Sequence, residues 1–207
     1  MGAGEVARAV AALRAGGVVL LPTDGVYGLC AATDEDAVAA LYALKGRERE
    51  RPAAIVAASV ESLLERLPEL RGGLERVVRA LLPGPYTLVL PNPARRYGWL
   101  AGTTPEAIGV RVAALPPPSQ RVLDALGAVA ATSANLPGGP APASLDEVPD
   151  EIRSRCAAEL DGGRLAGTAS TVIDLTGAEP VVLRAGSGAV DSALARAAAA
   201  LAAPGGA

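Results

Sequence analysis

The sequence predicts one α/β domain, in which a twisted sheet of mixed parallel and antiparallel strands is flanked by helices around a concave basic groove. Two observations favour this class. Segments with helical spacing alternate with short apolar runs, and 207 residues, half of them hydrophobic, suffice for one core. We assign 1–207 to a single domain, with a core over about 5–186 and an alanine-rich helix and tail over 187–207.

The chain opens with a helix followed by a strand. Val6, Val10 and Leu13 recur at the spacing of one helical face. Two glycines after that face predict the end of the helix, and the apolar run 18–21 then predicts a buried strand that Pro22 ends.

Two further helices are predicted from their N-terminal caps. Thr33 and Asp36 resemble a capping box for a helix that ends at Lys45. Ser59 is predicted to cap the next helix. The remaining pattern predicts strands over 53–58, 86–90, 107–112, 128–132, 171–175 and 181–184, and helices over 74–82, 119–126 and 144–154.

Composition excludes several function classes. The chain has no histidine, which rules out Ser-His and Cys-His catalysis and histidine-ligated zinc. Cys30 and Cys156 form no CxxC motif and are expected to be unpaired thiols in a reducing cytoplasm. A net charge of −3 argues against a surface that coats nucleic acid. No apolar run reaches the roughly 18 residues of a membrane span, so we expect a cytoplasmic protein without a membrane partner.

Lys45 is the single lysine among nineteen basic side chains. Arginine presents a planar fork, whereas an ammonium group is a compact charge suited to a phosphate oxygen. Lys45 is therefore either a remnant of a compositional drift toward arginine or a phosphate contact.

Polar clusters at strand ends offer a place for a ligand. The segment 132–135 (Thr-Ser-Ala-Asn) follows one predicted strand, and 169–171 (Ala-Ser-Thr) precedes another. Arg111 and Arg184 lie in strands predicted to be buried, where a charge needs an anionic partner. That partner is either a ligand or a carboxylate such as Asp24 or Asp174. Neither a P-loop nor a Rossmann fingerprint is present.

Six motifs in this order and spacing resemble the YrdC/Sua5 family, over about residues 5–186. They are Pro22-Thr23-Asp24-Gly25-Val26-Tyr27-Gly28-Leu29, Lys45-Gly46-Arg47 with Arg51-Pro52, Pro83-Gly84-Pro85-Tyr86-Thr87, Gly109-Val110-Arg111-Val112, Thr132-Ser133-Ala134-Asn135 and Ser170-Thr171-Val172-Ile173-Asp174. The family comprises L-threonylcarbamoyladenylate synthases, which convert L-threonine, bicarbonate and ATP to threonylcarbamoyl-AMP and pyrophosphate for the t6A modification of tRNA. The resemblance implies the same YrdC-like fold and activity here.

The resemblance also implies roles for individual residues. Lys45 and Arg47 would be catalytic, and the ATP-binding set would be Lys45, Arg47, Arg51, Ser133 and Arg184. Gly25, Arg111 and Ser170 would contact threonine, and Asn135 would shape its loop. Mg²⁺ would arrive with ATP and not at a protein metal site. A downstream t6A transferase complex would take the product.

Three departures from the family pattern leave alternatives open. Gly25 stands where the family often has threonine, Glu48 where proline usually follows, and Arg51 where lysine is common. Gly25 leaves open a relative that acts on a different carbamoyl acceptor. A second alternative, from another class, is a non-catalytic module that binds tRNA or double-stranded RNA in the same groove.

Overall fold

The computed structural model describes residues 2–46 and 52–203, and within these ranges the chain alternates helices and strands. The α-helices are α1 Ala3–Arg14, α2 Glu35–Lys45, α3 Val60–Arg66, α4 Gly73–Leu81, α5 Pro117–Leu126, α6 Asp150–Arg153 and α7 Val190–Ala202. The strands are β1 Val19–Pro22, β2 Tyr27–Ala31, β3 Ala54–Ala57, β4 Tyr86–Pro91, β5 Ala107–Arg111, β6 Ala128–Ser133, β7 Ala158–Glu159, β8 Thr171–Asp174 and β9 Val181–Arg184.

The described strands form one mixed sheet in the order β7-β1-β2-β6-β3-β5-β4-β8-β9. The pairs β1/β7, β3/β5 and β4/β8 are parallel, and the other neighbours are antiparallel. The predicted single α/β domain with a mixed sheet is confirmed. Within the described ranges, no helix combines the length and apolar character needed to cross a bilayer.

The two faces of the sheet are covered differently. One face carries the larger apolar cluster, to which α2, α3, α4 and α7 contribute. On the other face, α1 and α5 pack on β1, β2 and β6 in a smaller cluster. Along β4, β5 and β8, buried residues alternate with partly exposed ones. The small and polar side chains of these strands point to the second face, in the area that α1 and α5 do not cover. That part of the sheet forms the floor of a cavity.

Two of the predicted helices differ from the structure at their ends. The N-cap of α2 is Asp34 and not Thr33, since Asp34 Oδ1 accepts a hydrogen bond of 2.9 Å from the backbone N–H of Ala37. The predicted helix 144–154 is instead a 3₁₀ turn, Leu145–Glu147, followed by the short α6. Pro149 explains the break, because a residue before proline avoids helical geometry and Val148 is extended. The predicted cap at Ser59 is confirmed.

Three strands differ from the sequence prediction. Strand β2 was not predicted, because its residues directly follow the loop 23–25 and include a glycine. Strand β7 has only two residues, which is too short for a recognisable strand pattern in the sequence. Strand β9 was expected to be buried, but it is an edge strand on which Val181 and Leu183 are 55% and 58% exposed.

Candidate functional site

A cavity of about 860 Å³ lies over the open face of the sheet. Its floor consists largely of small strand residues, namely Gly28, Ala54, Ala107, Gly109 and Ala131. Its lining includes six residues predicted from the sequence, namely Gly25, Lys45, Arg111, Ser133, Ser170 and Arg184. Arg47 and Arg51 lie outside the described residues. The described lining also includes Asp24 and Asp174, so the basic character of the groove stays a prediction.

Lys45 joins the end of α2 to the loop after β6. Helix α2 ends here because Gly46 adopts a left-handed conformation with φ of 60°. The Lys45 side chain is buried, and its Nζ donates to the Ser133 carbonyl at 2.5 Å and to Thr132 Oγ1 at 3.1 Å. Its third N–H is shared between Ser133 Oγ and Asn135 Oδ1, at 3.3 Å each. The ammonium group therefore holds the 132–135 loop as well as facing the cavity.

Asn135 determines the shape of the same loop. Its Nδ2 donates to the carbonyl oxygens of Leu136 at 2.9 Å and Gly139 at 2.7 Å. Its Oδ1 accepts hydrogen bonds from Lys45 and from the Ser133 hydroxyl. The predicted loop-shaping role of Asn135 is confirmed.

Arg111 forms a salt bridge with Asp24 inside the cavity. Arg111 Nη2 donates to both carboxylate oxygens of Asp24, at 2.7 and 2.9 Å. The two side chains are 13% and 15% exposed. Of the two partners considered from the sequence, a carboxylate is thus confirmed for Arg111, and that carboxylate is Asp24. Arg111 Nε is buried and has no hydrogen-bond partner among the described residues.

Arg184 and Ser170 lie beside Arg111. Thr87 of β4 pairs with Val172 of β8, which in turn pairs with Arg184 of β9. On the other side of β4, Val110 of β5 pairs with Leu88, so the next residue, Arg111, lies level with Thr87. Arg184 Nη2 and Nε donate to the Ser170 carbonyl at 2.8 and 3.2 Å. The pKa of Arg184 is lowered by partial burial and by the nearby Arg111 guanidinium. Asp24 compensates the charge of Arg111, so Arg184 is the cation at this end that can attract an anionic group of a ligand.

Ser170 is positioned by a buried junction that the sequence analysis missed. The hydroxyl of the adjacent Thr171 donates to the Gly188 carbonyl at 2.7 Å and accepts from the N–H groups of Gly186 at 3.0 Å and Gly188 at 3.1 Å. The Ser170 hydroxyl lies 2.7 Å from the hydroxyl of Thr87. Ser170 is therefore fixed both through the backbone and through its side chain.

The sequence left open whether Thr23 and Tyr27 contact a ligand. Tyr27 is fully buried, and its hydroxyl donates to the Gly163 carbonyl and accepts from the Gly162 N–H, both at 2.8 Å. Burial raises the pKa of Tyr27. The Thr23 hydroxyl lies at the cavity but donates to the Val26 carbonyl at 2.6 Å. Both side chains thus shape the loops around the cavity.

Gly25 lies against the segment that leads to Ser170. The Gly25 carbonyl accepts a hydrogen bond of 2.8 Å from the Gly167 N–H. A Cβ atom at Gly25 would lie only 2.1 Å from the Thr168 carbonyl oxygen. The close approach of the two backbones explains why this position holds glycine.

The two ends of the cavity are separated along the strands. Ala131 of β6, Ala54 of β3 and Gly109 of β5 form one row of paired residues across the sheet. Ser133 lies two residues from this row along β6, and Arg111 lies two residues from it along β5 in the opposite direction. Four residues of strand correspond to about 13 Å. We name the two regions the Lys45 end, formed by Lys45, Ser133 and Asn135, and the Arg111 end, formed by Asp24, Arg111, Ser170 and Arg184.

The cavity lining includes hydroxyl groups that the sequence analysis did not single out for a site. They belong to Thr87, Thr103, Thr104, Thr168 and Thr176. The alternation of small or polar residues with large apolar ones in β4 could have identified Thr87. Asp174 accepts hydrogen bonds from the Thr176 N–H at 2.8 Å and its hydroxyl at 2.6 Å, so it ends β8.

The described residues include no group of three or more Cys, Asp or Glu side chains that could hold a metal ion. Both cysteines are unpaired, as expected. Burial raises the pKa of Cys30 to about 12 and that of Cys156 to about 11. Neither thiol is therefore poised for nucleophilic chemistry near neutral pH.

Comparison with known proteins identifies relatives over most of the chain. The profile of the Sua5/YciO/YrdC family, described as "Telomere recombination", matches residues 11–186. A Halorhodospira halophila protein named threonylcarbamoyl-AMP synthase is 40% identical over 165 residues, covering 79% of this chain and 85% of that protein. A Mycobacterium tuberculosis protein, provisionally given the same name, is 37% identical over 186 residues, covering 87% of this chain and 83% of its own length.

Two solved structures have a similar fold. The crystal structure of Pyrococcus abyssi Sua5 complexed with L-threonine has a TM-score of 0.76 and 34% identity, covering 87% of this chain and 54% of that one. The crystal structure of Escherichia coli YciO has a TM-score of 0.74 and 29% identity, covering 89% and 90%.

Proposed function

Because the chain belongs to the Sua5/YciO/YrdC family, we propose that it is an L-threonylcarbamoyladenylate synthase, a nucleotidyltransferase that uses L-threonine, bicarbonate and ATP. The observation that carries the proposal is that one cavity brings the Lys45 end and the Arg111 end together. The backbone positions of Ser133 and Arg111 are offset by about 13 Å along the strands, which leaves room for two substrates that meet between them.

The reaction proposed for this site has two steps. Threonine in its ammonium form and bicarbonate give the carbamate, water and one proton. A carbamate oxygen then attacks the α-phosphorus of ATP, the bond between the α-phosphorus and its bridging oxygen to the β-phosphorus breaks, and pyrophosphate leaves. The carbamate is already anionic, so no strong general base is needed, which suits a chain without histidine.

The residues of this chain would act by alignment and charge neutralisation. We assign Lys45 and Ser133 to the nucleotide, with Lys45 also holding the loop that carries Ser133. Arg111 and Ser170 are assigned to threonine, and Arg184, which lies beside them, to the α-phosphate region between the substrates. Arg47 and Arg51 keep the triphosphate roles that the family resemblance implies. Fixed cations of this kind stabilise developing charge without reorganisation.

Mg²⁺ is proposed to enter as part of the ATP substrate. Mg²⁺ typically takes one or two carboxylates together with phosphate oxygens and water. Among the described residues that line the cavity, Asp24 and Asp174 supply two separated carboxylates. This set fits an ion that the triphosphate carries into the site. The product would pass in the cytoplasm to a transferase complex that modifies tRNA.

Pyrophosphate release tests the proposal. We expect release from MgATP only when L-threonine and bicarbonate are both present, and threonylcarbamoyl-AMP in the same sample by mass spectrometry. Release with a different amino acid and not with threonine would instead favour a relative with another carbamoyl acceptor. No release with any amino acid, together with tight binding of tRNA or double-stranded RNA, would favour the binding module.

A further inference from the structure

The Arg111–Asp24 salt bridge is an internally neutral pair at the wall of the cavity. Both side chains line the cavity, yet each is more than four-fifths buried. A buried charge without a partner is costly, and here the two opposite charges compensate each other.

The pair leaves hydrogen-bonding capacity on both sides. Nη2 alone contacts Asp24, and no hydrogen bond within the described residues engages Nη1 of Arg111. A carboxylate has about four lone-pair positions, and Nη2 occupies one on each Asp24 oxygen. The pair can therefore donate to an anion through Arg111 and accept from a cation through Asp24 at the same time.

We propose that Asp24 and Arg111 together recognise an α-amino acid as a zwitterion, with the substrate carboxylate on Arg111 and its ammonium group on Asp24. The inference rests on the proposed function and adds Asp24 as a specificity-determining residue. A ligand with both charges matches the neutral pair, whereas a carboxylic acid without an amino group would place its negative charge near Asp24 without compensation. Asp24 acts on the incoming substrate, before the ammonium loses the proton that carbamate formation requires.

The test compares two ligands that differ only in the amino group. L-Threonine and 3-hydroxybutyrate are titrated by calorimetry into the full chain and into Asp24→Asn, which keeps an oxygen for Arg111 but removes the charge. We expect the native chain to bind threonine at least about tenfold more tightly than 3-hydroxybutyrate, and Asp24→Asn to lose most of that preference. Asp124→Asn, an exposed carboxylate on α5, is the matched control and should keep it.

The outcomes separate this inference from the proposed function. If Asp24→Asn weakens both ligands by the same factor, Asp24 only positions Arg111 and the inference is wrong. Equal binding of both ligands by the native chain would overturn it without any variant. If the native chain binds no threonine and releases no pyrophosphate, the proposed function fails. Normal pyrophosphate release with an unchanged preference in Asp24→Asn refutes the inference alone.

Discussion

Replacing Gly25 with alanine is predicted to destabilise the fold and to disturb the Arg111 end of the cavity. The added Cβ would lie 2.1 Å from the Thr168 carbonyl oxygen, whereas ordinary contact begins at about 3.4 Å, so the two backbones would have to separate by more than about 1 Å. The neighbour is backbone and cannot rotate away. Overpacking in a tight site costs about 1–3 kcal/mol or more, and we expect about 3 kcal/mol here.

The effect on function follows from the position of Thr168, two residues before Ser170. Movement of this segment also breaks the hydrogen bond between Gly167 N–H and the Gly25 carbonyl. We therefore expect KM for threonine to rise more than KM for ATP in Gly25→Ala.

Urea unfolding gives the loss of stability, and for a chain of this size 3 kcal/mol corresponds to a melting temperature lower by about 6–12 °C. Gly177→Ala, in an exposed turn where the nearest atom would lie 3.8 Å away, is the control. A stability of Gly25→Ala within about 0.5 kcal/mol of the native chain would refute the steric argument.

Four further changes are predicted to affect activity or stability. Lys45→Met should lower the rate of pyrophosphate release by about 10²- to 10³-fold with unchanged circular dichroism, as should Arg47→Ala, and normal turnover in both variants would contradict the proposed phosphate site. Tyr27→Phe should cost about 1–3 kcal/mol in urea unfolding, because the Gly162 N–H loses its acceptor, while both KM values stay unchanged. Raising the pH above 9 should lower the free energy of unfolding, because the Cys30 thiol ionises near pH 9 when unfolded but only near 12 when folded. The loss for this one group approaches about 1.4 kcal/mol per pH unit between those values, and a Cys30→Ala variant with the same slope as the native chain would show that another group is responsible.

Local patterns allowed much of the fold to be predicted from the sequence. The cap at Ser59 and the end of α2 at Lys45 and Gly46 depend on neighbours within a few residues, and both are confirmed. Thr33 was predicted as the cap because Asp36 follows three residues later, but Asp34 can also cap a helix, and the sequence does not show which of the two is extended. The break at Pro149 was available from local rules and was overlooked.

Contacts between distant segments could not be predicted in the same way. Asp24 was one of two carboxylates considered for Arg111, since 87 residues separate the salt-bridge partners. The contact of Gly25 with Thr168 joins backbone atoms, so side-chain patterns do not reveal it. Arg184 was expected in a buried strand because its neighbours are apolar, but β9 lies at an edge where those neighbours remain exposed.

The segment 160–170 connects β7, at one edge of the sheet, to β8, close to the other. Seven strand spacings separate these strands, which corresponds to about 34 Å measured along the sheet. Eleven residues reach at most about 36–40 Å when fully extended. A segment of this length can therefore cross the sheet, and Tyr27 and Gly25 anchor it along the way. The position of Ser170 thus depends on loops at the far side of the sheet, through the contacts that Tyr27 and Gly25 make with this segment.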